Sequence, residues 1–271
     1  MTAFVELDDV RVDVRAAGTI LDRLSLAVEE GKTLALIGRS GSGKTTALRL
    51  VNALILPTAG AVRVAGRETT AWNPIELRRR TGYVIQEVGL FPHLTVEQNV
   101  GVVPELEGWP PARIAARTRE LLELVGLAPG EYASRRPHQL SGGQRQRVGV
   151  ARALAADPPL ILLDEPFGAL DPITRRELQR EFRALTARLG KTAIFVTHDL
   201  AEAALVADRI ALLSSGRLIA EGSLEELMRT PGDEVRAFLE AGNLGPESSQ
   251  PESIAPAIAD SAARPQGAVT R

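Results

Sequence analysis

Apolar residues fall along the chain in two rhythms. Four short runs, 33–38 (TLALIG), 160–164 (LILLD), 192–197 (TAIFVT) and 209–214 (RIALLS), are almost continuously apolar, as strands buried on both faces of a parallel sheet are. Helix-like segments separate them, and that alternation predicts a parallel sheet flanked by helices. The N-terminal segments 4–14 (FVELDDVRVDV) and 21–31 (LDRLSLAVEEG) instead alternate apolar and polar residues, which predicts antiparallel strands with one wet face in a small β-subdomain.

From about Gln86 to Leu140 the strand signal stops. Pro92, Pro104, Pro110 and Pro111 punctuate the stretch, and 112–127 (ARIAARTRELLELVGL) reads as an amphipathic helix closed by Gly126. A helical subdomain over about 87–158 inside a folded unit spanning 1–240 is therefore expected. Residues 241–271 are rich in Gly, Pro, Ser and Ala without large apolar periodicity, and are expected to form a disordered tail.

Composition narrows this picture by exclusion. At 271 residues and 44% hydrophobic, the chain has ample material for a core. A formal net charge of -2 carries no global signature of nucleic-acid binding. Without cysteine there are no disulfides and no thiolate metal sites. Acidic residues within the first ten positions do not suit a signal peptide or anchor, and no run reaches the roughly 18 apolar residues of a spanning helix. Any role at a membrane is expected to be played from outside the bilayer.

The chemistry begins at 38–46, GRSGSGKTT. It follows an apolar strand and opens a helix, the setting in which the spacing Gly38-x4-Gly43-Lys44-Thr45 makes a phosphate cradle. Glycines let backbone amides point into a concave nest, the helix N-terminus adds its dipole, Lys44 reaches the outer phosphates and Thr45 offers a hydroxyl to Mg²⁺. The chain holds only three lysines, Lys32, Lys44 and Lys191, so a chance match is improbable on composition.

Further along, 160–166 (LILLDEP) ends an apolar strand in Asp164, at the strand end where ligands of parallel sheets sit. Asp164 can hold Mg²⁺, and Glu165 is placed to accept a proton from an attacking water. His198, after the strand 192–197, is expected at the same sheet edge. A second candidate anion site lies at 140–144 (LSGGQ), where Ser141 can cap a helix and leave the Gly142 and Gly143 amides facing a ligand.

Together these stretches resemble the ATP-binding subunits of ABC transporters: GRSGSGKTT as Walker A, LILLDE as Walker B, LSGGQ as the signature, GALD (168–171) as the D-loop, Gln86 as the Q-loop glutamine and His198 as the switch histidine. The resemblance runs from about Val5 to Leu239. It implies that Gly38, Arg39, Ser40, Gly41, Ser42, Gly43, Lys44, Thr45 and Thr46 bind ATP phosphates, and that Thr45, Gln86 and Asp164 serve Mg²⁺. It further implies Glu165 as general base, Gln86 as serving the attacking water as well as the metal, and His198 as the residue that senses the γ-phosphate. Ser141, Gly142, Gly143, Gln144 and Asp171 are implied to meet ATP on a second chain, so that two copies close head to tail. The family places an adenine-stacking aromatic residue where Val14 stands here, with Arg15 next. An apolar contact from Val14 or a guanidinium stack from Arg15 would replace it only in part.

The middle stretches, including the segment LEGW (106–109), are similar to the subunits that energise import of glycine betaine, choline or carnitine; the alternatives are a subunit of another solute importer, for methionine or polyamines, and an ABC-type ATPase that works outside transport. Quaternary ammonium ligands are held by aromatic cages. The six Phe, two Trp and two Tyr here are scattered, with Tyr83 and Phe91 the one pair that could meet. Solute recognition is therefore expected in partners: membrane-spanning permease subunits, on which this chain is expected to sit peripherally at the cytoplasmic face of the inner membrane, and, indirectly, an extracytoplasmic binding protein. The loop 88–95 (VGLFPHLT) is the candidate permease contact. The tail is expected to be too short for a paired regulatory domain.

Overall fold

The chain's structure, a computed structural model, describes residues 3–15, 18–86, 89–168 and 170–241. The expected tail beyond Ala241 lies outside the described residues, as do Glu87 and Val88 of the Q-loop segment and Ala169 of GALD. In chain order the first elements are β1 (Ala3–Val14), β2 (Gly18–Glu29), β3 (Thr33–Ile37), α1 (Lys44–Val51), β4 (Ala59–Val64), β5 (Arg67–Glu68), α2 (Pro74–Arg79) and β6 (Thr81–Val84). Then follow α3 (Val96–Leu106), α4 (Pro111–Leu124), α5 (Pro129–Tyr132), α6 (Gly142–Leu154), β7 (Leu160–Asp164), α7 (Pro172–Leu189), β8 (Thr192–Val196), α8 (Leu200–Val206), β9 (Arg209–Ser214), β10 (Arg217–Gly222), α9 (Leu224–Arg229) and α10 (Asp233–Ala241).

The strands form two sheets. One is four-stranded and antiparallel, in the order β2-β1-β4-β5; the other is six-stranded, in the order β10-β9-β3-β8-β7-β6. Within the second, β9, β3, β8, β7 and β6 run parallel, and β10 returns antiparallel on β9. All of β3, β7 and β8 is buried, and alternate residues feed two cores. Ala35, Ile37, Ile161, Leu163 and Phe195 pack with α3, α4, α6, α7 and α8. Leu34, Leu36, Leu162, Ile194 and Val196 pack with α1 and with inward residues of the antiparallel sheet such as Val5, Leu24 and Val62. A strand covered on both faces has no polar side to spare, which is why these segments read as unbroken apolar runs.

Between β6 and β7 the described residues form helices and no strand. Their ends follow local rules. Thr95 and Gln98 make a capping box at α3, and α4 ends with Gly126 at φ +71° while Leu127 N–H returns to the Leu122 carbonyl. Val96, Val100, Leu121 and Leu122 share one apolar cluster with the sheet face, so these helices extend the main core. The strands β4, β5, β6 and β10 lie outside the runs expected from apolar patterning. β5 has two residues, β6 is a four-residue edge strand containing glycine, and β10 alternates in burial, so none presents a long apolar signal.

Packing at β6 bears on function because Gln86 follows it. A Cβ on Gly82 would run into the carbonyl oxygen of Ala153 in α6 and come within 3.2 Å of Pro158 Cγ. Gly82→Ala is expected to destabilise the fold by about 1 to 3 kcal/mol through overpacking. Urea unfolding reads this, and an unchanged midpoint would show that β6 and α6 separate freely.

Candidate functional site

The parallel register brings the ends of three strands to one edge. Leu36 pairs with Val196, and Asp164 pairs with the same Val196 on its other side. The segments that continue from Ile37, Asp164 and Val196 therefore emerge together, at the strand carboxyl ends where open parallel sheets place ligands.

Gly38 to Gly43 turn between β3 and α1. Gly38 holds φ +147°, and a Cβ there would strike the Leu213 carbonyl oxygen. Gly43, at φ +99°, caps α1 without any side-chain hydrogen bond, and a Cβ there would lie 2.5 Å from Leu21 Cδ2. Among the described residues no side chain caps the first turn of α1, which leaves its amides able to meet an anion. Lys44 is 6% exposed, and its ammonium donates to the carbonyls of Gly38 at 2.8 Å and Arg39 at 3.0 Å. Burial lowers its pKa, against the pull of Glu165 and Asp164. Ser42 is buried with its Oγ unpartnered.

The Thr45 hydroxyl donates to Asp164 Oδ1 at 3.0 Å, joining residues 119 positions apart. Burial raises the Asp164 pKa, offset in part by the Thr45 hydrogen bond and by Arg49. Tyr83 is another member of this neighbourhood that the motifs did not single out: burial first, and then the charge of Asp164, raise its pKa, with Arg49 opposing. Next in the chain, Glu165 has φ +46° and donates its N–H to the Val196 carbonyl at 3.0 Å. A non-glycine residue in the left-handed region costs energy and is retained where surroundings enforce it. The result aims its carboxylate at two groups: Gln86 Nε2 donates to Glu165 Oε2 at 3.1 Å, and His198 Nδ1 lies 3.8 Å from the same oxygen. Three residues separated widely in sequence thus meet at one carboxylate.

At the second cradle Ser141 is the N-cap of α6. Its Oγ accepts from Gln144 N–H at 3.2 Å, and Gln144 Oε1 accepts from Ser141 N–H at 2.9 Å. Gln144 Nε2 also donates to the Tyr132 hydroxyl at 3.1 Å. Both polar residues of LSGGQ are thereby employed in shaping the helix start, and the capping bonds of Ser141 and Gln144 do not take up the amides of Gly142 and Gly143. No hydrogen bond joins these residues to Gly38–Thr46 of the same chain among the described residues. Asp171 caps α7, accepting from the Ile173 and Thr174 amides; the Thr174 side chain first, and then these amides, hold its carboxyl below the usual range. Val14 ends β1 opposite Gly18 and is 41% exposed. Tyr83 packs in the core on the antiparallel-sheet side, whereas the Phe91 ring meets His93 edge-on at 6.1 Å, so these two aromatics make no cage.

The fold and site define a P-loop cassette, and the chain belongs to the ABC transporter family, whose model matches residues 21–168. It is 49% identical over 234 residues to the choline transport ATP-binding protein OpuBA of Bacillus subtilis (strain 168), covering 86% of this chain and 61% of that protein. It is also 49% identical over 223 residues to the glycine betaine uptake system ATP-binding protein YehX of Escherichia coli (strain K12), covering 82% of this chain and 72% of that one. The Fe(3+) ions import ATP-binding protein FbpC 2 of Rhodococcus jostii (strain RHA1) is 49% identical over 235 residues, covering 86% of this chain and 66% of that one. The chain thus spans 61% of the length of one of the curated relatives it matches. Among solved structures, the dimeric post-hydrolysis state of the ATP-binding cassette MJ0796 bound to ADP and Pi superposes with a TM-score of 0.73 at 34% identity, covering 81% of this chain and 98% of that one. The expected α/β cassette, with its mainly parallel sheet and N-terminal antiparallel sheet, is the observed fold.

A polar cluster behind the switch segment escaped the motifs. Glu202 of α8 is 5% exposed and accepts from Gln179 Nε2 at 3.3 Å, while its Oε1 has no partner. Burial, reinforced by Asp199, raises its pKa from 4.5 to about 7. The folded state therefore binds a proton more tightly than the unfolded chain, so this group's contribution is full below pH 4.5 and is lost as pH rises through about 7. Replacing it with a neutral amide removes that penalty. Glu202→Gln is expected to gain about 2 to 3 kcal/mol over the parent at pH 8 relative to pH 5, read by urea unfolding at both pH values; parallel pH profiles would sink the assignment.

Proposed function

We propose that this chain is the ATP-hydrolysing subunit of an importer that takes up an osmoprotectant or quaternary amine such as glycine betaine, choline or carnitine. The observation that carries the reading is the meeting of Gln86, Glu165 and His198 at one carboxylate oxygen, beside the hydrogen bond from Thr45 to Asp164. In this reading Gly38, Arg39, Ser40, Gly41, Ser42 and Gly43 hold ATP phosphates with the amides that open α1, helped by Thr46. Lys44 exchanges its carbonyl partners for the outer phosphates.

Thr45, Asp164 and Gln86 offer oxygen ligands, a hard donor set suited to Mg²⁺, which when bound offsets the negative charge of the phosphates. Glu165 accepts the proton of the attacking water, whose position Gln86 and His198 fix from either side. Val14 offers the base an aliphatic contact, short of the roughly 1 to 3 kcal/mol that ring stacking contributes.

Completion of the site requires a second copy. Ser141, Gly142, Gly143, Gln144 and Asp171 of one chain face the ATP held by its partner, and two ATP molecules close the pair head to tail. This explains why a chain with one P-loop carries two anion-facing helix starts. The pair is peripheral, seated on membrane-spanning permease subunits at the cytoplasmic face of the membrane, and an extracytoplasmic binding protein supplies the solute indirectly. No helix among the described residues is long and apolar enough to cross a membrane. Similarly close relatives are named for choline and for Fe(3+) ions, which supports placing solute choice in the partners. No role for nucleic acid is proposed. Recovery from native membranes, with identification of what accompanies the chain, tests the transport reading; ribosomal or DNA-repair partners alone would overturn it.

Two substitutions separate the roles. Glu165→Gln is expected to keep ATP bound while lowering turnover at least about 100-fold, and persistence of parental steady-state hydrolysis would remove Glu165 as the base. Ser141→Arg is expected to preserve nucleotide binding by the isolated chain while abolishing hydrolysis and ATP-dependent dimerisation, read by size-exclusion chromatography. A variant that still dimerises with ATP would place the second cradle outside the interface.

A further inference from the structure

The segments that carry Glu165 and His198 are both tied to side chains that no motif includes. His198 stands between bonded neighbours: Thr197 N–H donates to the Leu36 carbonyl at 3.1 Å, Asp199 N–H donates to Thr197 Oγ1 at 3.0 Å, and Asp199 Oδ1 accepts from the Ala201 and Glu202 amides at 2.8 and 3.2 Å. The place of its ring therefore follows the first turn of α8. From that turn the buried Glu202 side chain meets α7, where Gln179 Nε2 donates to one carboxyl oxygen and the other, Oε1, has no partner among the described residues. Glu165 is held in a similar way. Gly168 N–H returns to the Glu165 carbonyl at 3.3 Å, and the carbonyls of Gly168 and Leu170 accept from Arg175 Nη2 at 3.4 and 2.9 Å. Arg175 Nε is buried and, like Glu202 Oε1, unpartnered among the described residues.

Arg175 and Glu202 line one cavity of about 400 Å³, where Arg176 and Arg180 of α7 and Asp199 of α8 are the other charged groups. The strand β3, also packed on α8, has no charged residue. A buried donor and a buried acceptor that both go unsatisfied are costly, and each is of the kind the other lacks. An ionised Glu202 draws the guanidinium toward itself and off the 168–170 carbonyls, whereas a neutral one leaves it there. We propose that Arg175 and Glu202 are positioning residues for hydrolysis: Arg175 holds the 168–170 turn against Glu165, Glu202 holds the turn that carries His198, and the charge of Glu202 decides whether Arg175 stays on its carbonyls. This rests on the roles given to Glu165 and His198 in the preceding subsection.

The test measures ATP hydrolysis by the purified parent chain, Glu202→Gln, Arg175→Met and the double variant at about pH 6 and about pH 8, on either side of the value of about 7 to which burial, and then Asp199, raise the Glu202 carboxyl. The kcat of Glu202→Gln divided by that of the parent is expected to rise about tenfold from the lower pH to the higher, as the neutral fraction of the parent's carboxyl falls, with KM for ATP within about twofold. Taking the ratio removes the titration of Glu165 and His198, which both proteins share. Arg175→Met is expected to lose about tenfold in kcat at the lower pH, and in that background Glu202→Gln is expected to leave the pH dependence unaltered. A ratio that stays flat, or one that rises as steeply without Arg175, would overturn the proposal. If Arg175→Met fails to fold, Arg175→Lys takes its place, since it keeps the charge and loses the forked donor set. A parent chain that does not hydrolyse ATP counts against the proposed function instead. Hydrogen exchange at the Gly168 and Leu170 amides, taken relative to the amides of β7, then decides: it is expected to be slower in Glu202→Gln than in the parent at about pH 8, and equal exchange in the two proteins overturns the positioning role.

Discussion

The structure depends on one constraint: the central strands are buried on both faces and must pair in parallel. Because β3, β8 and β7 lie side by side in matched register, their carboxyl ends finish at one level. Whatever follows those ends is delivered to a common place. The phosphate loop after Ile37, the acidic pair Asp164 and Glu165, and His198 after Val196 are assembled by backbone hydrogen bonding before any side chain contributes. The side-chain bonds then refine the arrangement, as when the Thr45 hydroxyl reaches Asp164.

Local strain and burial at this edge mark where the fold gives up stability for chemistry. Glu165 sits at φ +46°, a conformation that costs of order 1–3 kcal/mol, and Lys44 and Asp164 are both almost fully buried. Charges so placed interact more strongly with one another and with a ligand than they would in water. The helices between β6 and β7 share their apolar cluster with the sheet, so the second cradle at Ser141 is carried on a body continuous with the core. Among the described residues no hydrogen bond joins it to the P-loop of its own chain, which is the ground for proposing that it meets a partner's ATP.

The residues just ahead of α3 follow similar logic at smaller scale. Carbonyls of residues 89, 91, 94 and 95 that no sheet neighbour reaches are taken up by Asn99 and Arg152, so these backbone groups find partners outside the sheet. The same bonds stiffen the loop.

The sequence by itself determined the four long apolar strands, the amphipathic helix ending at Gly126, the P-loop and the capped start of α6, because each is written in local periodicity or turn chemistry. It likewise determined the absence of disulfides and of any long apolar span. Tertiary structure alone decided the short strands β5, β6 and β10, whose patterns are too brief or too polar to stand out, and the separation of Tyr83 from Phe91. It alone decided that Gln86 and His198 meet at Glu165, that Gln144 is occupied by Ser141 and Tyr132, and that Glu202 lies buried with an unpaired oxygen. These are contacts between residues distant along the chain. Local pattern specifies which face of an element is buried, whereas the partner on that face is chosen only when the sheet order and register are set.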